Sequence, residues 1–131
     1  MQIVNLMTSD PVTIGPHDTL AKAKSIMDAG HFRRVPVLDN GRLVGILTER
    51  DLHDYTGYLE STRVNAAMRT ALVTVTPYNT VEDAARLMLK HKIGGLPIVA
   101  ENGALVGIVT TSDLLRAFLL VVAGASQIMS G

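Results

Sequence analysis

The chain is written twice, and that duplication limits what its 131 residues can fold into more than any other feature. Residues 7–52 read MTSDPVTIGPHDTLAKAKSIMDAGHFRRVPVLDNGRLVGILTERDL, and residues 68–114 read MRTALVTVTPYNTVEDAARLMLKHKIGGLPIVAENGALVGIVTTSDL. The offset is 61 from Met7/Met68 through Pro36/Pro97 and 62 by Gly41/Gly103, so the second copy has gained one residue just before that glycine. A register held over about two thirds of the chain requires each copy to form the same structural unit.

The copies share one local pattern. A short strand, Val12–Ile14 or Leu72–Val75, runs into a proline. A helix start follows: Asp18 or Thr19 can cap in the first copy, and Asn79 with Glu82 has capping-box spacing in the second. Leu20, Ala23, Ile26 and Met27 then recur at helical spacing, as do Val81, Ala84, Ala85 and Met88. A buried strand is predicted at Val35–Leu38 or Leu96–Val99, then a turn through Asn40-Gly41 or Asn102-Gly103, where glycine supplies positive φ. A last strand, Leu43–Leu47 or Leu105–Val109, feeds a second helix near 49–54 or 111–122. Each copy therefore reads β-α-β-β-α, an α+β unit too small to cover both faces of its sheet. Two such repeats packed sheet to sheet with pseudo-twofold symmetry would bury the exposed faces. The boundaries read as 1–54 for the first repeat, 55–67 for a linker, 68–116 for the second repeat and 117–131 for the end of the last helix and the tail.

Each copy ends on Gly-x-x-Thr-x-x-Asp, with Gly45, Thr48 and Asp51 in one and Gly107, Thr110 and Asp113 in the other. Helix capping explains the threonine and aspartate without any function: threonine as N-cap, a carboxylate on the first turn. A ligand cradle is the alternative. Glycine inside a strand often marks close approach of another backbone or a ligand. The strand-to-helix corner offers free backbone N–H groups to an anion. A carboxylate one turn in can accept both hydroxyls of a ribose, as in dinucleotide folds.

The duplicated pattern, Met-Thr, Val-Thr-Ile, Pro-Val, Leu-Val-Gly-Ile and Thr-x-x-Asp, resembles a tandem pair of CBS domains, a Bateman module, over residues 7 to about 116. The resemblance implies a regulatory sensor for an adenosine ligand (AMP, ADP, ATP or S-adenosylmethionine), often as a disk-like homodimer. It implies that Asp51 and Asp113 hold ribose hydroxyls beside Thr48 and Thr110, with Arg50 and Ser112 near phosphate. Thr8, Asp10, Pro11 and Val12 would face the Asp113 site, and Arg69, Thr70, Ala71, Leu72 and Val73 the Asp51 site. Backbone at Val35, Pro36 and Val37, and at Leu96, Pro97 and Ile98, would complete the pockets. Arg33 and Arg34 stand where the family commonly meets phosphate, whereas the second copy has Gly94-Gly95, so the pair of sites is electrically lopsided. A solvated arginine pair at a strand entrance is the plain alternative.

Composition narrows the function classes. Hydrophobic residues make up 47% of the chain, which excludes disorder. Lys+Arg 12 balances Asp+Glu 12 and aromatics are 4%, which disfavours nucleic acid as a partner. With no cysteine there is no disulfide frame, thiol nucleophile or cysteine-built zinc site. No Walker motif or nucleophile–base pair is visible, and His17, His31, His53 and His91 form no ligand set, so neither an enzyme nor a metal or catalytic cofactor is expected. No signal peptide or spanning segment is read, which makes a cytoplasmic protein the expectation. The apolar stretch Phe118–Val122 would cover its own sheet or a partner chain, as in a dimer contact. The overall expectation is a ligand-responsive module that changes repeat or dimer geometry and acts on an unidentified protein partner in trans; the alternative is a ligand-free dimerisation scaffold.

Overall fold

The computed structural model describes residues 1–130, with side-chain burial described through Gly124. The chain divides into two compact units: Asp10–Leu72 with Glu101–Leu105, and Met1–Ser9 with Val73–Ala100 and Val106–Gly131. The elements are β1 (Thr8–Ser9), α1 (Leu20–Gly30), β2 (Arg34–Asp39), β3 (Arg42–Thr48), α2 (Glu49–His53), α3 (Val64–Ala67), α4 (Val81–His91), β4 (Gly95–Val99), β5 (Leu105–Thr110) and α5 (Thr111–Ser130).

Helix starts and hairpins follow local chemistry. Thr19 caps α1 through the Lys22 N–H, and Thr80 caps α4 in a full capping box with Asp83. The box is thus one residue later than the Asn79–Glu82 spacing suggests. Asn79 is engaged elsewhere: its Oδ1 accepts the Thr76 N–H at 2.8 Å, as Asp18 accepts the Gly15 N–H at 2.9 Å. Both helices stop on a left-handed residue, His31 and Lys92, each at φ 55°. The β2–β3 hairpin closes over Asn40 and Gly41 at φ 50° and 79°, the two-residue turn whose twist suits a hairpin. In the second copy only Gly103 is left-handed, and Asn102 instead accepts the Ala104 N–H, which accommodates the added residue.

The predicted opening strands Val12–Ile14 and Leu72–Val75 are not strands. Each shrinks to one parallel bridge, Ile14 to Val37 and Val75 to Ile98. Proline is the cause. The bridge uses Ile14 N–H to Pro36 O and Leu38 N–H to Ile14 O. Extending it backwards needs an N–H on Pro36, and extending it forwards needs one on Pro16; neither exists. Pro97 and Pro77 cut the second copy's bridge in the same way.

The expected linker is a structural part of a unit. Val64, on α3, is fully buried in a core with Ile14, Leu20, Ala23, Met27, Val35, Val37, Leu47 and Leu52. In that unit Leu20 donates to Thr62 O, Val64 to Asp18 O and Asn65 to Pro16 O. The other unit repeats these bonds, with Val81 donating to Met1 O, Ile3 to Asn79 O and Val4 to Pro77 O. Its core gathers Ile3, Val75, Ala84, Met88, Leu96, Ile98 and Val109. The duplication therefore extends back at least to Met1 and Thr62, and the leading segment of each copy is built into the unit that carries the other copy's first helix. The sequence signal is faint: Ile3 and Met7 stand four apart, as do Val64 and Met68, one helical turn.

Candidate ligand site

The Asp51 corner is assembled from β3, α2 and the segment after α3. Thr48 and Asp51 form a capping box: the Thr48 N–H donates to Asp51 Oδ2 at 2.9 Å, and the Asp51 N–H donates to Thr48 Oγ1 at 3.3 Å. The other carboxylate oxygen, Oδ1, accepts from Arg69 Nε at 3.2 Å. Arg69 is held there by its backbone, which exchanges hydrogen bonds with Ile46 at 2.9 and 3.0 Å. That approach demands glycine: a Cβ on Gly45 would lie 2.5 Å from Met68 Sδ and 3.0 Å from the Arg69 carbonyl oxygen.

The Asp113 corner repeats the plan with β5, α5 and β1. Thr110 donates to Asp113 Oδ2 from its N–H at 2.8 Å and from Oγ1 at 3.0 Å. Oδ1 accepts from Arg116 Nη1, on the same helix, at 3.0 Å. β1 lies antiparallel beside β5, with Thr8 opposite Ile108 and Ser9 opposite Gly107. A Cβ on Gly107 would meet the Thr8 carbonyl oxygen at 2.8 Å. Both strand glycines thus answer to a backbone. Of Thr8–Val12 only Thr8 and Ser9 belong to this unit; Asp10, at φ 48°, begins the stretch assigned to the other. Sequence reasoning misses Arg116, although its i, i+3 spacing from Asp113 is a signal that marks it.

Most of the corner N–H groups expected to be free for an anion are bonded at both sites, those of Arg50 and Ser112 excepted. Besides the Thr and Asp amides, the Glu49 N–H is taken by Arg33 O at 2.7 Å and the Thr111 N–H by Gly94 O at 3.0 Å. An anion here must be met mainly by side chains. Around Asp51 these are plentiful. Arg34 pairs in register with Thr48 across β2–β3, and exposed Arg33, Arg50 and Arg69 lie in the elements meeting at the corner. Burial, and then the charge of Arg33, press the Arg34 pKa below the ordinary guanidinium value. Among the described residues Arg34 makes no ion pair. At Asp113 the corresponding positions are Gly94, Gly95, Ser112 and Thr8, all uncharged. Thr70 and Ala71 are exposed and Leu72 is half-buried, whereas Val35, Pro36, Val37, Leu96, Pro97 and Ile98 have buried side chains and can offer a ligand backbone only. All four histidines are exposed, and among the described residues no group of three or more His, Cys, Asp or Glu is placed to hold a metal.

A doubled strand–helix corner with a capping aspartate on a proline-cut α+β repeat defines a tandem-repeat module, and the CBS domain family matches it at residues 3–57 and 64–120. The chain belongs to the CBS domain family. It is 39% identical to the CBS domain-containing protein YhcV of Bacillus subtilis, across 86% of this chain and 81% of that one. Among solved structures it is similar to the CBS domain pair of protein MJ0100 in complex with 5′-methylthioadenosine and S-adenosyl-L-methionine (26% identity, 90% of this chain and 95% of that chain, TM-score 0.84). It is also similar to CBSX2 in complex with AMP (27% identity, 92% and 97% of the two chains, TM-score 0.83). No helix among the described residues is long and apolar enough to cross a membrane.

Proposed function

We propose that the chain is a regulatory module that binds an adenosine-containing ligand and acts in trans on a partner protein. The observation that carries this reading is the division of labour within each aspartate. Oδ2 is committed to the capping box, while among the described residues Oδ1 faces only a guanidinium on an exposed side chain, a partner that a ribose hydroxyl can replace. The MJ0100 and CBSX2 complexes support an adenosine ligand of this kind. AMP, ADP, ATP and S-adenosylmethionine are the candidates, and the arginines near Asp51 favour a phosphorylated one there. Ligand binding replaces an aspartate–arginine contact at the corner, and the partner reads the resulting shift in population.

A second reading has its own observation. Both Thr-x-x-Asp motifs do cap helices, and both Oδ1 atoms already have partners, as a ligand-free scaffold requires. On α5, Leu115, Phe118, Leu119 and Val122 are exposed at i, i+3, i+4 and i+7, a stripe suited to pairing with the same helix of a second copy. Calorimetric titration of AMP, ADP, ATP and S-adenosylmethionine into the native chain, Asp51→Asn and Asp113→Asn separates the two. The sensor reading requires micromolar binding lost in one or both variants while thermal unfolding stays cooperative. Absence of binding by the native chain leaves the scaffold.

A further inference from the structure

The two aspartates are latched differently, and the difference bears on which ligand each accepts. Arg116 reaches Asp113 from the next turn of its own helix, a local i, i+3 contact. Arg69 reaches Asp51 across 18 residues of sequence, from the extended segment whose backbone is fixed to Ile46. Its counterpart in the other unit is Thr8, which carries no charge. The Asp51 side chain is 11% exposed and that of Arg69 is 55% exposed, so the carboxylate stays put while the guanidinium can swing.

We propose that Arg69 is a specificity-determining latch for phosphorylated nucleosides at the Asp51 site, an inference that rests on the adenosine-ligand reading above. A ribose that takes Asp51 Oδ1 must displace the guanidinium. With an unphosphorylated nucleoside the displaced cation gains no new anionic partner. A nucleotide brings a phosphate, which the same guanidinium then engages as a charge-assisted donor. Of the corner's own N–H groups, Thr48, Glu49 and Asp51 already spend theirs within the protein, which leaves the charged guanidinium the stronger partner for that phosphate. The side chain that blocks the ribose hook thus becomes the phosphate ligand, and selectivity follows from one ion pair exchanging partners. The Asp113 corner, with Thr8 in place of Arg69, lacks this exchange across the corner.

Adenosine and AMP titrated calorimetrically into the native chain, Arg69→Gln and Arg69→Lys test it. The native chain should prefer AMP by about tenfold or more, the worth of the new phosphate contact, since both ligands break the same ion pair. In Arg69→Gln adenosine should tighten by up to about fivefold, the upper range of an exposed ion pair, with AMP little changed, so the preference collapses. Arg69→Lys should retain most of it. If Arg69→Gln weakens both ligands equally, or leaves their ratio where it was, the latch is refuted and the adenosine reading survives. If the native chain binds neither ligand, the adenosine reading fails and takes the latch with it.

Discussion

Gly107 sets how closely β1 can lie on β5, and replacing it with alanine measures that constraint directly. The new Cβ would stand 2.8 Å from the Thr8 carbonyl oxygen, 2.9 Å from Met7 Sδ and 3.3 Å from Met7 Cγ. Methionine can rotate away. The carbonyl cannot, because Thr8 and Ser9 are paired with Ile108 and Gly107 along the strand. Ordinary contact begins at 3.4 Å, so β1 must retreat by about 0.6 Å and weaken its pairing. Overpacking of this kind costs about 1–3 kcal/mol. Gly124 provides the control. It lies within α5, and a methyl added there would have nothing within 4 Å, so alanine should stabilise by about 0.5–1 kcal/mol through helix propensity. Urea unfolding followed by far-ultraviolet circular dichroism reads both as shifts in midpoint at constant slope. The same Gly→Ala change should therefore move the midpoint in opposite directions at the two positions. A Gly107→Ala chain as stable as the native one would refute the close approach and, with it, the placement of β1 beside the Asp113 corner. Gly45→Ala should cost less than Gly107→Ala, since its backbone neighbour, the Arg69 carbonyl oxygen, is at 3.0 Å and its nearest atom is a methionine sulfur.

Val64→Ala should lose about 2–3 kcal/mol by the same urea assay, because two methyl groups leave a fully buried position; an exposed tether would lose almost nothing. Thr80→Ala removes the acceptor for the Asp83 N–H and should lower stability by about 1 kcal/mol in thermal unfolding. Asp18 and Asp83 have pKa values depressed below the usual 3.8, chiefly by the backbone N–H groups of Gly15 and Thr80. Their contribution is therefore present above pH 3.8 and is lost as pH falls through the depressed values. Thermal unfolding of an Asp18→Asn/Asp83→Asn chain should show a shallower loss of stability below pH 3.8 than the native chain; an unchanged acid limb would assign it to other groups. Phe118→Glu should shift the species seen by light scattering to half its mass if α5 pairs with a second copy, and an unchanged mass would remove α5 from the interface.

Local physics makes much of this protein readable from its residues. The two copies, the helices over Leu20–Gly30 and Val81–His91, the Asn40-Gly41 turn and the helix-capping geometry of Thr48/Asp51 and Thr110/Asp113 depend on neighbours a few residues away, so spacing and residue type suffice. The features that escape such reading depend on partners distant in sequence. The opening strands collapse to single bridges because prolines on both sides remove the N–H groups needed to continue, which is visible only once Ile14 is set against Val37 and Val75 against Ile98. The exchange of leading segments, with Val64 filling the core beside Leu20 and Ile3 the core beside Ala84, is a long-range choice that local spacing only faintly marks. So is the guanidinium over Asp51, which comes from a distant segment, whereas Asp113 receives Arg116 locally from its own helix. Two capped strand–helix corners are therefore written in the residue order, because capping is a contact between residues three apart. What stands over the Asp51 carboxylate is settled in three dimensions, by the distant segment that the buried core brings beside it.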